Sequence, residues 1–277
     1  MNGDREEARE LLEIELLLEA IQRVYGYDFR GYALASMRRR LFHRVYGEGL
    51  QTISGLQERI LHDPSCMDRL LRDLSINVTE MFRDPSFYRA LRKHVFPLLR
   101  THPFIRVWNA GCSTGEEIYS LAIALREAEL LDRARIYATD IDESALERAR
   151  SGAFPLGRMQ LYTENYLRAG GSESFSAYYS ADGELARFDP ALAAGAVFAQ
   201  HNLVTDGSFN EFQLIVCRNV LIYFGADLQE SVLGLFGESM ARFGILALGR
   251  KESLRHSRHA DAYEPLVETE KIFRRRS

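Results

Sequence analysis

The sequence predicts an α/β fold of the nucleotide-binding kind, preceded by an all-helical stretch, and three observations predict it. The first lies at 105–125, where a short, mostly apolar, β-prone run, Ile105 to Ala110, leads into a loop bracketed by Gly111 and Gly115. After the loop Ile118, Leu121, Ala122 and Leu125 fall at helical spacing, so the segment reads strand, glycine loop, helix. The second is the return of apolar β-prone runs at 135–139 and 212–217. The third is that residues up to about 75 carry only helical periodicity.

The N-terminal elements follow in order. Ile14, Leu17, Leu18, Ile21 and Val24 repeat at helical spacing until Gly26 interrupts them. Asp28 is placed to cap a second helix, whose buried stripe is Leu34, Met37, Leu41 and Val45. The same helix carries Arg38, Arg39, Arg40 and Arg44. Such a run reads either as a solvated face or as a dock for an acidic partner, since charge complementarity steers association. Gly47 to Gly49 end it, Thr52 opens a short helix, and Ser65-x-x-Asp68 reads as a capping box before Leu70, Leu71 and Leu74. Asp84-Pro85 marks another helix start, with Asp84 as the cap and Pro85 in the first turn. The preceding segment sets Asn77, Thr79 and Arg83 among Val78, Met81 and Phe82. An arginine in apolar surroundings needs an anion, which favours a ligand site over a linker.

In the α/β part, the loop after Ile105–Ala110 is neither Gly-x-Gly-x-x-Gly nor a Gly-Lys-Ser/Thr phosphate loop. Glu116 and Glu117 stand where a diphosphate would meet the helix N-terminus. Carboxylates there either complement the helix dipole or receive a cationic, hydroxyl-rich ligand such as S-adenosylmethionine. The second strand ends in Asp140, a position suited to ribose hydroxyls, although Asp140, Asp142 or Ser144 could also cap the next helix. Between Phe154 and about Gly195 the rhythm fails, and Gly170-Gly171, Tyr178-Tyr179 and Asp182-Gly183 suggest a turn-rich insertion with hairpin-like pieces. Strands resume at 196–199, 212–217 and 245–248, with a last one around 271–274. Ligands of open α/β sheets bind beyond the carboxyl ends of the strands, where Glu117, Asp140, Asn202 and Asn219 line up.

Composition narrows the classes. The chain has 277 residues, 46% hydrophobic and 27% charged, enough for one large or two modest domains with ample core. A net charge of −4 argues against general nucleic-acid binding. No signal peptide and no apolar run near the roughly 20 residues of a membrane span are present, so no membrane insertion is expected. Three dispersed cysteines in no Cys-x-x-Cys spacing fit a reducing cytoplasm, and His256 and His259 lack further ligands, so no metal is expected.

The residues resemble the CheR type of chemotaxis receptor (protein-glutamate) O-methyltransferase. The matching segments are Asp28-Phe29 with Arg38-Arg39-Arg40, Asn-Val-Thr-Glu-Met-Phe-Arg-Asp at 77–84 and Ser-Thr-Gly-Glu-Glu-Ile-Tyr-Ser at 113–120. Ala-Thr-Asp-Ile-Asp at 138–142, Asn-Leu at 202–203 and Cys-Arg-Asn-Val-Leu-Ile-Tyr-Phe at 217–224 complete them, in the family's order. The resemblance implies an N-terminal helical domain over 1–76 and a Rossmann-like methyltransferase domain over 77–277, with a small β-subdomain inserted at about 155–195. It implies a cofactor site, for S-adenosylmethionine, of Asn77, Thr79, Arg83, Glu117, Asp140, Asn202, Leu203, Asn219 and Val220. Glu117 is chosen over Glu116 as the main contact. It also implies that Arg38, Arg39, Arg40 and Arg44 face the acidic methylation helices of a chemoreceptor's cytoplasmic domain, and that the enzyme is a cytoplasmic monomer. Two departures stand out: Glu173-Ser-Phe-Ser-Ala-Tyr-Tyr179 differs from the form of members that tether a receptor peptide, and Gly249-Arg-Lys-Glu-Ser253 replaces Gly-His-Ser-Glu-Ser.

A glutamate side chain is ionised at neutral pH and already a nucleophile, so methyl transfer to it needs alignment and water exclusion rather than a strong base. Arg83 is the expected positioning cation for a carboxylate, the substrate's or the cofactor's, and Tyr223 a further candidate for contacting substrate or for packing. Rival readings are a methyltransferase for small molecules or nucleic acid, a non-catalytic adaptor on the same fold, and an NAD-dependent oxidoreductase, the last disfavoured by the missing third glycine.

Overall fold

The computed structural model describes residues 2–74 and 79–276. The chain divides into two compact units, Met1–Ile76 with Tyr223–Val232, and Asn77–Ile222 with Leu233–Ser277.

The first unit is built from α1 (Asn2–Tyr25), α2 (Leu34–Gly47), α3 (Ile53–His62) and α4 (Pro64–Leu74). Ile14, Leu17, Leu18 and Ile21 of α1 are buried in its core, as are Met37, Leu41 and Val45 of α2, as the helical spacing requires. Gly26 stops α1 with φ +79 and donates its N–H to the Gln22 carbonyl. Val24 and Leu34, assigned to buried stripes, are 56% and 50% exposed. Two capping expectations are corrected. Asp28 binds the backbone and guanidinium of Arg30, and α2 starts later, after Ala33, with no side-chain cap. Asp63 rather than Ser65 starts α4, accepting from the Ser65 N–H at 3.0 Å with Pro64 at the first turn. Residues 223–232, distant in sequence, join this unit through the Tyr32–Phe224 bridge and the bond from the Ala33 N–H to the Tyr223 carbonyl.

The second unit opens with α5 (Pro85–Ala90), which passes through a π-helical turn (Leu91–Val95) into α6 (Phe96–Leu99). There follow β1 (Ile105–Ala110), α7 (Glu116–Glu127), β2 (Ala134–Asp140), α8 (Glu143–Ser151), β3 (Ala153–Pro155) and α9 (Met159–Arg168). Then come β4 (Tyr179–Asp182), β5 (Leu185–Phe188), β6 (Val197–Gln200), β7 (Phe212–Cys217), α10 (Ala226–Glu238, counted with the first unit through Val232), β8 (Met240–Leu248), β9 (Tyr263–Val267) and β10 (Ile272–Arg275). The main sheet is seven-stranded, in the order β6-β2-β1-β7-β8-β10-β9. β6, β2, β1, β7 and β8 run parallel, while β10 is antiparallel to both its neighbours. Parallel strands covered by helices are buried on both faces, and β1 and β7 accordingly read as almost wholly buried. Trp108 of β1 is fully buried among Phe212, Phe236 and His201, and its indole N–H donates to Thr139 Oγ1 at 2.8 Å. The order turns outward on either side of the β1–β7 pair, so the crevice at their carboxyl ends is where such a sheet receives a ligand.

The insertion forms a three-stranded antiparallel sheet, β3-β5-β4, but also contains α9, a helix not expected from the turn-rich sequence. Phe175 and Tyr178 are buried against Tyr166 and Phe188, and the Tyr178 hydroxyl donates to Glu127 at 3.1 Å. The departing stretch 173–179 thus places Phe175 and Tyr178 in core packing. Among the described residues no helix is long and apolar enough to cross a membrane.

Candidate active site at the carboxyl edge of the sheet

β1 ends in a turn that only glycine can make. Gly111 has φ +76, and its N–H and that of Cys112 both donate to the Thr139 carbonyl, at 2.8 and 2.9 Å. A Cβ on Gly111 would lie 2.5 Å from a Val220 methyl, so the loops after β1 and β7 touch here. Gly115, at φ +99, lets the start of α7 close on Ala149 of α8. At the end of β2, Asp140 is buried, one carboxylate oxygen accepting from the Ser113 N–H at 2.8 Å and the other from the Asp142 N–H at 3.0 Å. Asp142, not Asp140, caps α8, accepting from the Ser144 and Ala145 N–H groups. Burial pushes the Asp140 pKa up, while the backbone donors pull against it. The His201 N–H donates to the Asp140 carbonyl, which ties the approach to Asn202 and Leu203 to the same strand end.

The two glutamates of α7 diverge. Glu116 is buried, takes a hydrogen bond from Thr114 Oγ1 at 2.6 Å and lies 3.5 Å from the Tyr162 hydroxyl; burial raises its pKa. Glu117 accepts from Asn109 Nδ2 at 2.8 Å and pairs with Arg218 Nη1 at 2.6 Å. The cation facing Glu117 is therefore a guanidinium of the chain itself, which sequence reasoning passed over although Arg218 stood within a quoted match.

Arg218 has a side chain only 2% exposed, its carbon centre 4.1 Å above the Phe87 ring. Its Nη2 donates to Asp84 at 2.6 Å and to the Arg83 carbonyl at 3.2 Å. Burial works against its charge, but Glu117, Tyr88 and Asp84 overcome that and hold its pKa above the ordinary arginine value. Asp84, expected as a helix cap, makes no capping bond and spends its carboxylate on Arg218 instead. Phe82, Asp84, Ser113 and Asn219 all have positive φ, at 52°, 58°, 51° and 62°. Left-handed non-glycine residues cost about 1–3 kcal/mol each and concentrate at ligand sites. Arg83 lies between two of them and is itself half-buried.

Asn219 and Val220 are held by Glu252, another residue missed. Its buried carboxylate accepts from the Val220 and Leu221 N–H groups, both at 2.9 Å, and from Gly249 N–H. Glu252→Ala strands those donors and is expected to cost about 3 kcal/mol in unfolding free energy. Denaturant titration measures it, and an unchanged midpoint would contradict the role.

The remaining candidates are placed as follows. Thr79 is half-buried, and Asn77 lies outside the described residues. Asn202 Oδ1 accepts from the Val204 N–H at 3.0 Å, turning the loop after β6. Tyr223 belongs to the helical unit, with the Arg40 guanidinium 4.6 Å over its ring. The expected four-arginine face is corrected there. Arg40 is 6% exposed and donates to the Leu74 carbonyl, while Arg44 is bound by Asp73 and Glu48. Arg38 and Arg39 alone of the four stay exposed, Arg38 paired with Glu10.

The residues fit S-adenosylmethionine. Each Asp140 oxygen retains a lone pair for a sugar hydroxyl, and Asn109 Oδ1 is a buried acceptor with no donor among the described residues, beside Glu117 and suited to an ammonium group. Comparison with known proteins agrees. Residues 77–271 match the family model described as CheR methyltransferase, SAM binding domain, and residues 12–75 match CheR methyltransferase, all-alpha domain. A protein of Pseudomonas putida designated methyltransferase Cher3 is 52% identical over 95% of this chain and 97% of its own length. A chemotaxis protein methyltransferase of Listeria monocytogenes is 31% identical over 84% of this chain and 87% of its own. One of Salmonella typhimurium is 30% identical over 82% and 80%. With its sheet, the carboxylates beyond its strand ends and these matches, the chain belongs to the CheR methyltransferase family and is an S-adenosylmethionine-dependent methyltransferase.

Proposed function

We propose that the chain esterifies glutamate side chains of a chemoreceptor's cytoplasmic helical domain, yielding glutamate methyl esters and S-adenosylhomocysteine, as the adaptation step of a cytoplasmic chemosensory pathway. The observation that supports it most is that one guanidinium, that of Arg218, binds both Glu117 and the Arg83 carbonyl, while Asp140 is held at the end of the neighbouring strand by the Ser113 N–H.

The cofactor supplies an electrophilic methyl group on a sulfonium. Asp140 would hold the ribose and Glu117 with Asn109 the ammonium end, while Asn202, Leu203, Asn219 and Val220 would line the strand exits; Thr79 and, from its place in the sequence, Asn77 are further cofactor contacts on this reading. Arg83 orients a carboxylate so that one oxygen lies in line with the carbon to be attacked. With the donor bound, an O–CH3 bond would form as the S–CH3 bond breaks, and its electron pair would stay on sulfur. No proton moves, so no base is required. Orientation of this kind supplies about 7–11 kcal/mol of a bimolecular barrier.

Substrate docking falls to Arg38 and Arg39 on the outer face of α2, where Phe42, His43 and Tyr46 line a shallow depression with them. Arg40 and Arg44 support that helix from beneath. The test is tritium transfer from S-adenosylmethionine to cytoplasmic fragments of receptors from the same genome, with glutamine at each acceptor glutamate in turn. Labelling that vanishes with particular glutamates is expected; labelling of nucleic acid or small molecules alone overturns the proposal. Arg38→Glu with Arg39→Glu is expected to raise the receptor KM about tenfold or more with kcat nearly unchanged, as charge reversal at an exposed rim acts on encounter.

A further inference from the structure

We propose that Arg218 is a positioning residue for the transfer: its buried guanidinium holds the Arg83 peptide in register with Glu117, so that the carboxylate-facing cation and the cofactor-facing carboxylate form one rigid unit. The proposal rests on Arg83 facing a carboxylate. One planar fork reaches three partners on two segments, Glu117 at the start of α7 and, ahead of α5, the adjacent Arg83 carbonyl and Asp84 carboxylate. Phe87 closes one face of that fork, and its side chain is almost wholly withdrawn from water.

The segment it grips is one that would not keep its shape unaided. Phe82 and Asp84, on either side of Arg83, are both left-handed without being glycine. Phe82 is fixed by burial against Tyr88 and Tyr166 and by its N–H donating to Ser120 Oγ at 2.9 Å. On the Asp84 side the hold is electrostatic. Arg218 takes one carboxylate oxygen, and Arg250, exposed and joined to Glu270 and Ser86, stands 3.9 Å from the other. Among the described residues, release of Arg218 leaves the Asp84 carboxylate that distant, solvent-exposed partner, and the turn carrying Arg83 can relax.

A lysine retains the charge but is a point donor that cannot bridge three acceptors, which separates charge from geometry. The experiment is a double-mutant cycle on turnover at saturating cofactor, with Arg218→Lys measured in the wild-type and Arg83→Ala backgrounds. Binding of S-adenosylhomocysteine is followed in parallel by calorimetry. The expected result is a loss of about 10²-fold from Arg218→Lys alone, the cost of a misplacement of about 1 Å, and a loss below about threefold once Arg83 is absent. An equal loss in both backgrounds overturns the proposal, since Arg218 would then act independently of Arg83. If Arg218→Lys does not fold, Asp84→Asn, which neutralises the gripped carboxylate, replaces it in the same cycle with the same two outcomes. Unaltered turnover by Arg83→Ala overturns the assignment of Arg83 and this proposal with it. S-adenosylhomocysteine binding with additive losses overturns the positioning role alone and leaves the methyltransferase reading standing.

Discussion

Arg83→Ala is expected to lower turnover of receptor methylation about 10²–10³-fold at saturating S-adenosylmethionine, the range found when one preorganised charge-stabilising donor is removed. Fixed between two left-handed residues and held through its carbonyl by Arg218, Arg83 has little freedom to be replaced by a neighbour. The kinetics also identify which carboxylate it serves. A fall in kcat with the cofactor KM unmoved assigns it to the substrate glutamate, whereas a rise in the cofactor KM assigns it to the cofactor's own carboxylate. Near-normal methylation by the alanine variant contradicts both.

The second large effect is on cofactor affinity. Asp140→Asn is expected to weaken S-adenosylhomocysteine binding about 10²-fold, since hydrogen bonds to a charged acceptor contribute about 1.5–3 kcal/mol each and the amide presents one acceptor oxygen instead of two. The pH dependence follows from burial. The Asp140 carboxyl is shifted upward from 3.8, and only its ionised form accepts two ribose hydroxyls while also accepting the Ser113 and Asp142 N–H groups. Affinity of the wild type is therefore full above the raised pKa and lost as pH falls through it, at a pH higher than an ordinary aspartate would show. The asparagine variant lacks that step. Calorimetry across the acid range reads both, and identical pH profiles would contradict the assignment.

How much was legible beforehand depended on the kind of signal. Strands buried on both faces, such as 105–110 and 212–217, announce themselves by composition, and the residues at their exits follow from the geometry of any open parallel sheet. Asp140 was proposed that way. α9 escaped because its buried positions, Met159, Tyr162 and Tyr166, lie among polar residues and between glycine-rich turns, so the helical period was masked. The strand Tyr263–Val267 contains Pro265 and lies at the sheet edge, where alternation is weak.

At the site, local chemistry misled where a long-range partner existed. Asp84 before a proline looks like a cap, but a buried arginine more than a hundred residues away competes for the carboxylate and wins because a charged partner outweighs a neutral N–H. The same logic drew Glu117 toward Arg218. In the helical unit the four arginines looked equivalent, and only packing shows that Arg40 lies over Tyr223 while Arg38 and Arg39 face solvent. Glu252 could have been found in Gly249-Arg-Lys-Glu-Ser253 by asking what satisfies the backbone of a loop with a left-handed Asn219.

A crystal structure of the enzyme with S-adenosylhomocysteine bears most directly on the cofactor site proposed at the carboxyl ends of β1, β2 and β7. Both ribose hydroxyls within hydrogen-bond distance of Asp140, and the ammonium beside Glu117 and Asn109, are the predicted result. Ligand seated elsewhere, or a ribose that leaves Asp140 bonded only to its own backbone, would contradict it.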